Sequence, residues 1–254
     1  MLDLWRNTHN DYAIITHYPK PADSMERDMD RWFKLSPRGH PASYHICGSL
    51  WETPPNRMPR NANGCYLSVK KRMDLECVLV PFWAAGFSFA KAHVRDQVKW
   101  DPHTNYIFNG EEFHFATRAW THGYDFYSPP FDIAFHRYFA KDKTKRFTIN
   151  DVHKPGSEKK RDAAEKRINA LWGLLELRTP GKSGDADLEE IEEYPLGDKR
   201  SLTDFWKFAG IDPVEQTFTV FESSVYSDGG LARVPWKDHS IDPVLNPKIR
   251  VTES

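Results

Sequence analysis

Apolar and polar positions change their period several times along the chain. Asp11-Tyr-Ala-Ile-Ile-Thr-His-Tyr18 is a β-branched and aromatic run closed by Pro19, and it predicts a buried strand. Leu2 to Arg6, just before it, reads as the end of a helix. Glu76-Cys-Val-Leu-Val80 predicts another strand. Phe82 to Phe89 is strand-like around Gly86, where a missing side chain suggests close approach of backbone or ligand. Trp100 to Asn105 reads as a loop. Glu111 to Thr121 is helical, with two acids in the first turn, which suit the helix dipole. It stops at His122-Gly123, where glycine fits the left-handed position after a helix. Phe131 to Phe139 predicts a further strand, with Ala134, His136 and Tyr138 on one face and Ile133, Phe135 and Arg137 on the other.

Two stretches break the pattern. Residues 19–64 hold Pro19, Pro21, Pro37, Pro41, Pro54, Pro55 and Pro59, and are expected to be loops with one short helix near Met25 to Phe33. So long a region without regular structure is often functional. After residue 150 the character becomes helical. Ser157 is placed to cap a helix running to about Leu177, with Ala164, Ile168, Leu171, Trp172 and Leu175 as its apolar stripe. A polar linker holds Gly181, Gly184 and the acids from Asp185 to Glu193. Ser201-Leu-Thr-Asp204 has the form of a capping box and opens a short helix that Gly210 ends. Thr217 to Phe221 predicts a last strand. The whole reads as an α/β domain over 1–150 with a helical and irregular extension over 151–254 packed on it.

Composition narrows the function. With 254 residues, 39% hydrophobic and 28% charged, the chain is that of a globular protein long enough to bury a core without disulfides. Its formal net charge of -1 gives no basic excess to bind nucleic acid. Val78 to Ala90, the most apolar stretch, is too short to span a membrane. Cys47, Cys65 and Cys77 form no metal-ligand pattern and read as free thiols. With no signal-peptide pattern at the N-terminus, the expected location is cytoplasmic.

Chemistry concentrates between Trp83 and His136. Ala84-Ala85-Gly86-Phe87 is an apolar turn, Asp101-Pro102-His103 a loop, and Asn109-Gly110-Glu111-Glu112 a helix start. Glu111 and Glu112 read either as first-turn acids or as working carboxylates. Gly110 lets a turn approach a ligand closely. Arg118, seven residues after Glu111, lies on nearly the same helix face, either orienting a carboxylate or making an ordinary ion pair. His136 is either structural or a metal ligand.

These residues also match a family. Ala85-Gly-Phe-Ser-Phe89, Trp100-Asp-Pro-His103, Phe108-Asn-Gly-Glu-Glu-Phe113, Thr117-Arg-Ala-Trp-Thr-His-Gly-Tyr124, Asp125-Phe-Tyr-Ser-Pro129 and the His136 strand resemble the GlcNAc-transferase family. Its founding type attaches GlcNAc to hydroxyproline on polypeptides in the cytoplasm. Asn10 to Pro19 is similar to the family strand that follows its metal motif. Arg161 to Leu175 and Leu196 to Thr203 are similar to its C-terminal part. The resemblance implies a partial GT-A-like mixed sheet, UDP-GlcNAc as donor, a polypeptide acceptor, Mn or Mg, and retention of configuration. By that match Glu111 is the acid nearest the reacting sugar. Ala85, Gly86, Phe87, Asn109, Gly110 and Glu112 line the donor pocket, and His136 completes a metal site. Trp83, Asp101, Arg118 and Trp120 match positions with substrate or structural roles. The chemistry is consistent, since a departing diphosphate needs its charge neutralised and an oxocarbenium-like centre needs a carboxylate beside it.

The family's Asp-x-Asp or Asp-x-His motif does not occur between Met1 and Asp11. The chain is therefore expected to be a C-terminal portion of a longer transferase, or the product of a truncated gene model, that binds metal and donor poorly by itself. The alternative is a non-catalytic fragment acting as a binding module. A metal-dependent hydrolase is disfavoured, because no HExxH or paired-carboxylate cluster is present.

Overall fold

The computed structural model describes residues 1–22, 44–51, 58–66, 77–137, 154–181 and 183–218. The expected helix near Met25 to Phe33 lies outside them. The chain enters through helix α1 (Leu2–Arg6) and strands β1 (Ala13–Thr16) and β2 (Lys20–Pro21). Strands β3 (Tyr44–Trp51) and β4 (Pro59–Tyr66) follow, then β5 (Val78–Val80), β6 (Ser88–Phe89) and helix α2 (His93–Gln97). Helix α3 (Glu111–Thr121), β7 (Asp125–Ser128) and β8 (Phe135–His136) complete the first part.

The main sheet has the order β5-β7-β1-β6. β1 runs parallel to β7, with Ile14 opposite Phe126, and antiparallel to β6, with Ile15 opposite Phe89. All four residues of β1 are buried, because both faces of the sheet are covered. Ile14, Phe126 and Val80 join the larger core. Ala13, Ile15 and Tyr127 pack under α1 around Leu4, and Trp5 Nε1 donates to Ala13 O at 2.8 Å. The fold is thus mixed α/β, as expected, and compatible with a GT-A-like sheet.

Helix α3 has the predicted bounds and ends through Gly123, whose φ is 98°. Phe113 to Thr121 are all buried, so the helix is enclosed rather than amphipathic. Its two threonines are satisfied inside. Thr117 Oγ1 and Thr121 Oγ1 each donate at 2.8 Å to the carbonyl one turn back, Phe113 and Thr117.

The later elements are α4 (Ser157–Leu171), α5 (Leu175–Arg178), α6 (Leu202–Ala209) and the β9 (Ile211–Asp212) and β10 (Thr217–Phe218) pair. Trp172 Nε1 donates to Thr117 Oγ1 at 3.1 Å, and Phe205 and Phe208 pack on Trp120. Ser201 Oγ accepts from Asp204 N at 3.1 Å and Gly210 has φ 66°, which is the expected capping box and stop.

Several expectations need correction. The region 19–64 is not loop throughout, because β3 and β4 form a hairpin with Trp51 opposite Pro59 and Ile46 opposite Gly64. Its Asn- and Gly-containing second strand hides the pattern that normally marks a strand. Of Phe82 to Phe89 only Ser88–Phe89 is strand, and of the described part of Phe131 to Phe139 only Phe135–His136. In both, polar side chains rather than a ladder hold the backbone. Gly156, with φ 82°, precedes α4 in place of a Ser157 cap, and the helix breaks at Gly173, with φ 71°, before α5.

Candidate functional site

In an open α/β sheet, ligands bind beyond the carboxyl ends of the strands. Here that end is built by Thr16 to Lys20, which leave β1. Thr16 Oγ1 accepts from Ala84 N and donates to Phe87 O, both at 2.9 Å, and so holds the Ala84–Phe87 turn. Pro19 packs on Gly86 so closely that a Cβ there would meet Pro19 Cδ at 2.8 Å. The close approach expected of backbone or ligand at Gly86 is made by the Pro19 side chain.

Tyr18 reaches the other way. Its hydroxyl donates to Glu112 Oε2 at 3.0 Å, and Asn61 Nδ2 from β4 donates to the same oxygen at 2.8 Å. Ala85 N–H donates to Glu112 Oε1 at 2.9 Å. Glu112 therefore joins three separate segments at the first turn of α3. Burial raises its pKa, and the hydrogen bonds from Ala85, Tyr18 and Asn61 oppose that rise. Glu111, half-buried beside it, makes no hydrogen bond among the described residues. Burial, and then the neighbouring Glu112, push its carboxyl up to about 7. One carboxylate is fixed as a strut and the other stands ready to take or lose charge near neutral pH.

Gly110 sets the angle of this turn. Its φ is 101°, and a Cβ would fall 2.8 Å from Met58 Cε. Gly110→Ala is expected to cost about 1–2 kcal/mol in backbone strain alone. With about 2–4 °C lost per kcal/mol, the thermal midpoint should fall by at least about 4 °C once the Met58 overlap is added. Differential scanning calorimetry checks this, and an unchanged midpoint contradicts it.

His17 and Lys20 pin the approach to β8. Lys20 Nζ lies 2.7 Å from Asp132 Oδ2, and His17 Nε2 accepts from Ile133 N at 3.4 Å. Burial pushes His17 down to about 4, so it is neutral, with Nδ1 donating to Tyr18 O at 3.2 Å. β8 then pairs with β2, with His136 opposite Pro21. His136 is exposed, three residues across the ladder from the tyrosine that holds Glu112.

Three of the expected site residues lie elsewhere, and Trp83 backs the site through the Asn61 amide that also holds Glu112. Asp101 is buried, accepting from Arg167 Nε at 2.8 Å and from His103 N at 3.0 Å. Arg118 donates to Lys99 O at 2.7 Å and Pro195 O at 3.3 Å, so backbone carbonyls rather than Glu111 are its partners. Trp120 is a core side chain with the Arg200 guanidinium over its ring. Trp83 is buried, its carbonyl accepting from Asn61 Nδ2 at 2.8 Å and its indole donating to Ser88 Oγ at 3.1 Å. Asn109 precedes Gly110 in the turn, half-buried.

Among the described residues, no set of oxygen ligands for Mn or Mg gathers around His136. Such ions want several oxygen ligands. Among the described residues, the His, Asp and Glu side chains grouped closely enough to share an ion are His103, Asp187 and Glu189 rather than a group around His136. Arg167 donates to the carbonyls of Asp187 and Glu189, and that charge opposes a cation.

A half-buried acid pair thus stands at a helix start, with a backbone turn against it, at the carboxyl end of a mixed sheet. A family model described as Glycosyltransferase (GlcNAc) matches residues 5–215, and the chain belongs to that family. No curated protein and no solved structure matched it. No helix among the described residues is long and apolar enough to cross a membrane. Thr16, Tyr18, Met58 and Asn61 escape the sequence reading of the site. The signal for the first two was Thr-His-Tyr-Pro directly after an apolar strand, while Met58 and Asn61 carried none.

Proposed function

We propose that the chain transfers GlcNAc from UDP-GlcNAc to a hydroxyl of a polypeptide, on hydroxyproline or Ser/Thr, with retention of configuration. The observation that carries this is the division of labour between two adjacent acids, Glu112 tied by three donors and Glu111 without a hydrogen bond among the described residues and raised to about 7. The bond from the sugar C1 to the diphosphate oxygen breaks, and its electron pair leaves with the diphosphate. The acceptor oxygen bonds to C1 from the same face, and its proton passes to the departing phosphate oxygen. Ionised Glu111 stabilises the positive charge that develops at C1. Ala85, Gly86 and Phe87 form the wall against the donor sugar.

The resemblance also carries Mn or Mg, for which His136 is the residue this chain offers. Donor binding that is unchanged by EDTA removes that part of the proposal. The second reading, a binding module without catalysis, is favoured by the absence, among the described residues, of a close His, Asp or Glu group around His136. Calorimetry with UDP-GlcNAc and Mn separates the two. Micromolar binding with UDP release on a hydroxyproline peptide supports the transferase, and a flat titration supports the module.

A further inference from the structure

Among the described residues, the large exposed hydrophobic side chains include two aromatics, Trp100 at 62% and Phe108 at 59% exposure. Both belong to the loop that feeds α3, and Phe108 is three residues before Glu111. A lone exposed aromatic needs no explanation, but Trp100 is held in place. Its ring stacks on Phe115 with centroids 5.2 Å apart and planes 24° apart, and it meets Trp83 at 5.9 Å. Trp83 and Phe115 are themselves 4.3 Å apart and buried. Three rings therefore form one block with a single outer member.

That block lies at the acid pair. Phe115 is one helical turn after Glu111, and helix side chains lean back over the turn before their own Cα. The ring under Trp100 thus covers the turn that carries Glu111. The inner side of this corner is taken by Tyr18, Asn61 and the Ala85 turn, which close around Glu112. The outer side is the indole, with its free face toward solvent. Trp100 Nε1 makes no hydrogen bond among the described residues, so it has a donor to spare beside that face.

We propose that Trp100 is the acceptor shelf of this site, stacking on the pyrrolidine ring of a prolyl or hydroxyprolyl residue and so setting the acceptor hydroxyl beside Glu111. This rests on the transferase reading and adds the residue that selects the acceptor. A rigid indole suits a rigid ring, since a proline-rich segment is already extended and loses little entropy on docking against aromatics. The indole N–H then donates to a carbonyl of the peptide. The donor sugar takes the inner wall, and the second substrate arrives from solvent on the outer one.

Calorimetry on the 254-residue chain tests this with two probes. One is a peptide with a single 4-hydroxyproline flanked by prolines, and the other is UDP-GlcNAc with Mn. Trp100→Ala is expected to weaken the peptide about fivefold or more, and Trp100→Phe to keep most of the affinity. UDP-GlcNAc binding should be the same in all three proteins. Equal peptide binding by Trp100→Ala overturns the proposal, as does no peptide binding by the wild type. A loss confined to UDP-GlcNAc also overturns it, by placing the indole on the donor. If the wild type ignores UDP-GlcNAc but binds the peptide through Trp100, the donor reading fails and the shelf stands.

Discussion

Glu111→Gln is expected to lower GlcNAc transfer by about 10²–10³-fold or more while leaving the fold intact, since on the proposed mechanism it removes the charge that faces the reacting carbon and little else. The amide keeps the shape of the side chain, and Glu111 makes no hydrogen bond among the described residues for the change to break. The pH dependence sharpens the test. With its carboxyl near 7, Glu111 becomes ionised as pH rises through neutrality, so the wild-type rate should climb between about pH 6 and 8. The residual rate of the variant should lack that limb. Stability runs the opposite way. The ordinary value is 4.5 and the folded value about 7, so between them the folded protein binds more protons than the unfolded chain. Stability therefore falls as pH rises through that window, and Glu111→Gln removes the loss. The variant should melt no lower than wild type at pH 5 and higher at pH 8. Near-normal turnover removes Glu111 from the mechanism, and a lower midpoint at pH 8 shows it to be structural.

The contrast between Glu111 and Glu112 also shows where the sequence was informative. Helix α3 was legible to the residue, because two acids open it and His122-Gly123 closes it. The Ser201 box and Gly210 were legible for the same reason, as caps are local chemistry. The strand around Ile14 and Ile15 was legible from its unbroken apolar run. What escaped was held by distant partners. The roles of Asp101 and Arg118 are set by Arg167 and by the Lys99 and Pro195 carbonyls, which nothing in their own neighbourhood announces. The β3–β4 hairpin escaped because Asn61 sits in it for the sake of Glu112 and the Trp83 carbonyl, and that use overrides strand propensity. The acid pair could be named from spacing, but which acid was the strut and which was free depended on Tyr18, Asn61 and Ala85 meeting at one oxygen pair.

The largest loss of stability is expected at the other pole of the sheet. Asp125 opens β7 and Asn10 precedes β1, so both stand at the strand ends away from the site. Arg200 Nη1 lies 2.7 Å from Asp125 Oδ1, with the two side chains 2% and 0% exposed, and Asn10 Nδ2 holds the second oxygen at 2.5 Å. The guanidinium also donates to Trp120 O at 2.8 Å, in the last turn of α3, and to Tyr124 O at 2.5 Å, just before β7. Burial lowers the Arg200 pKa and Asp125 opposes that, so the charge is kept by its partner. Arg200→Met takes the arginine from a buried carboxylate, which costs about 3–5 kcal/mol, or roughly 6–20 °C in the thermal midpoint. Asp125→Leu should cost a similar amount. The double variant should cost clearly less than the sum, because apolar replacement of both partners strands no charge. Calorimetry on the three variants decides it, and strict additivity would show that the pair acts as two separate anchors. Because this clamp sits at the amino ends of β1 and β7 while the proposed donor site lies beyond their carboxyl ends, UDP-GlcNAc affinity per folded molecule should stay at the wild-type value.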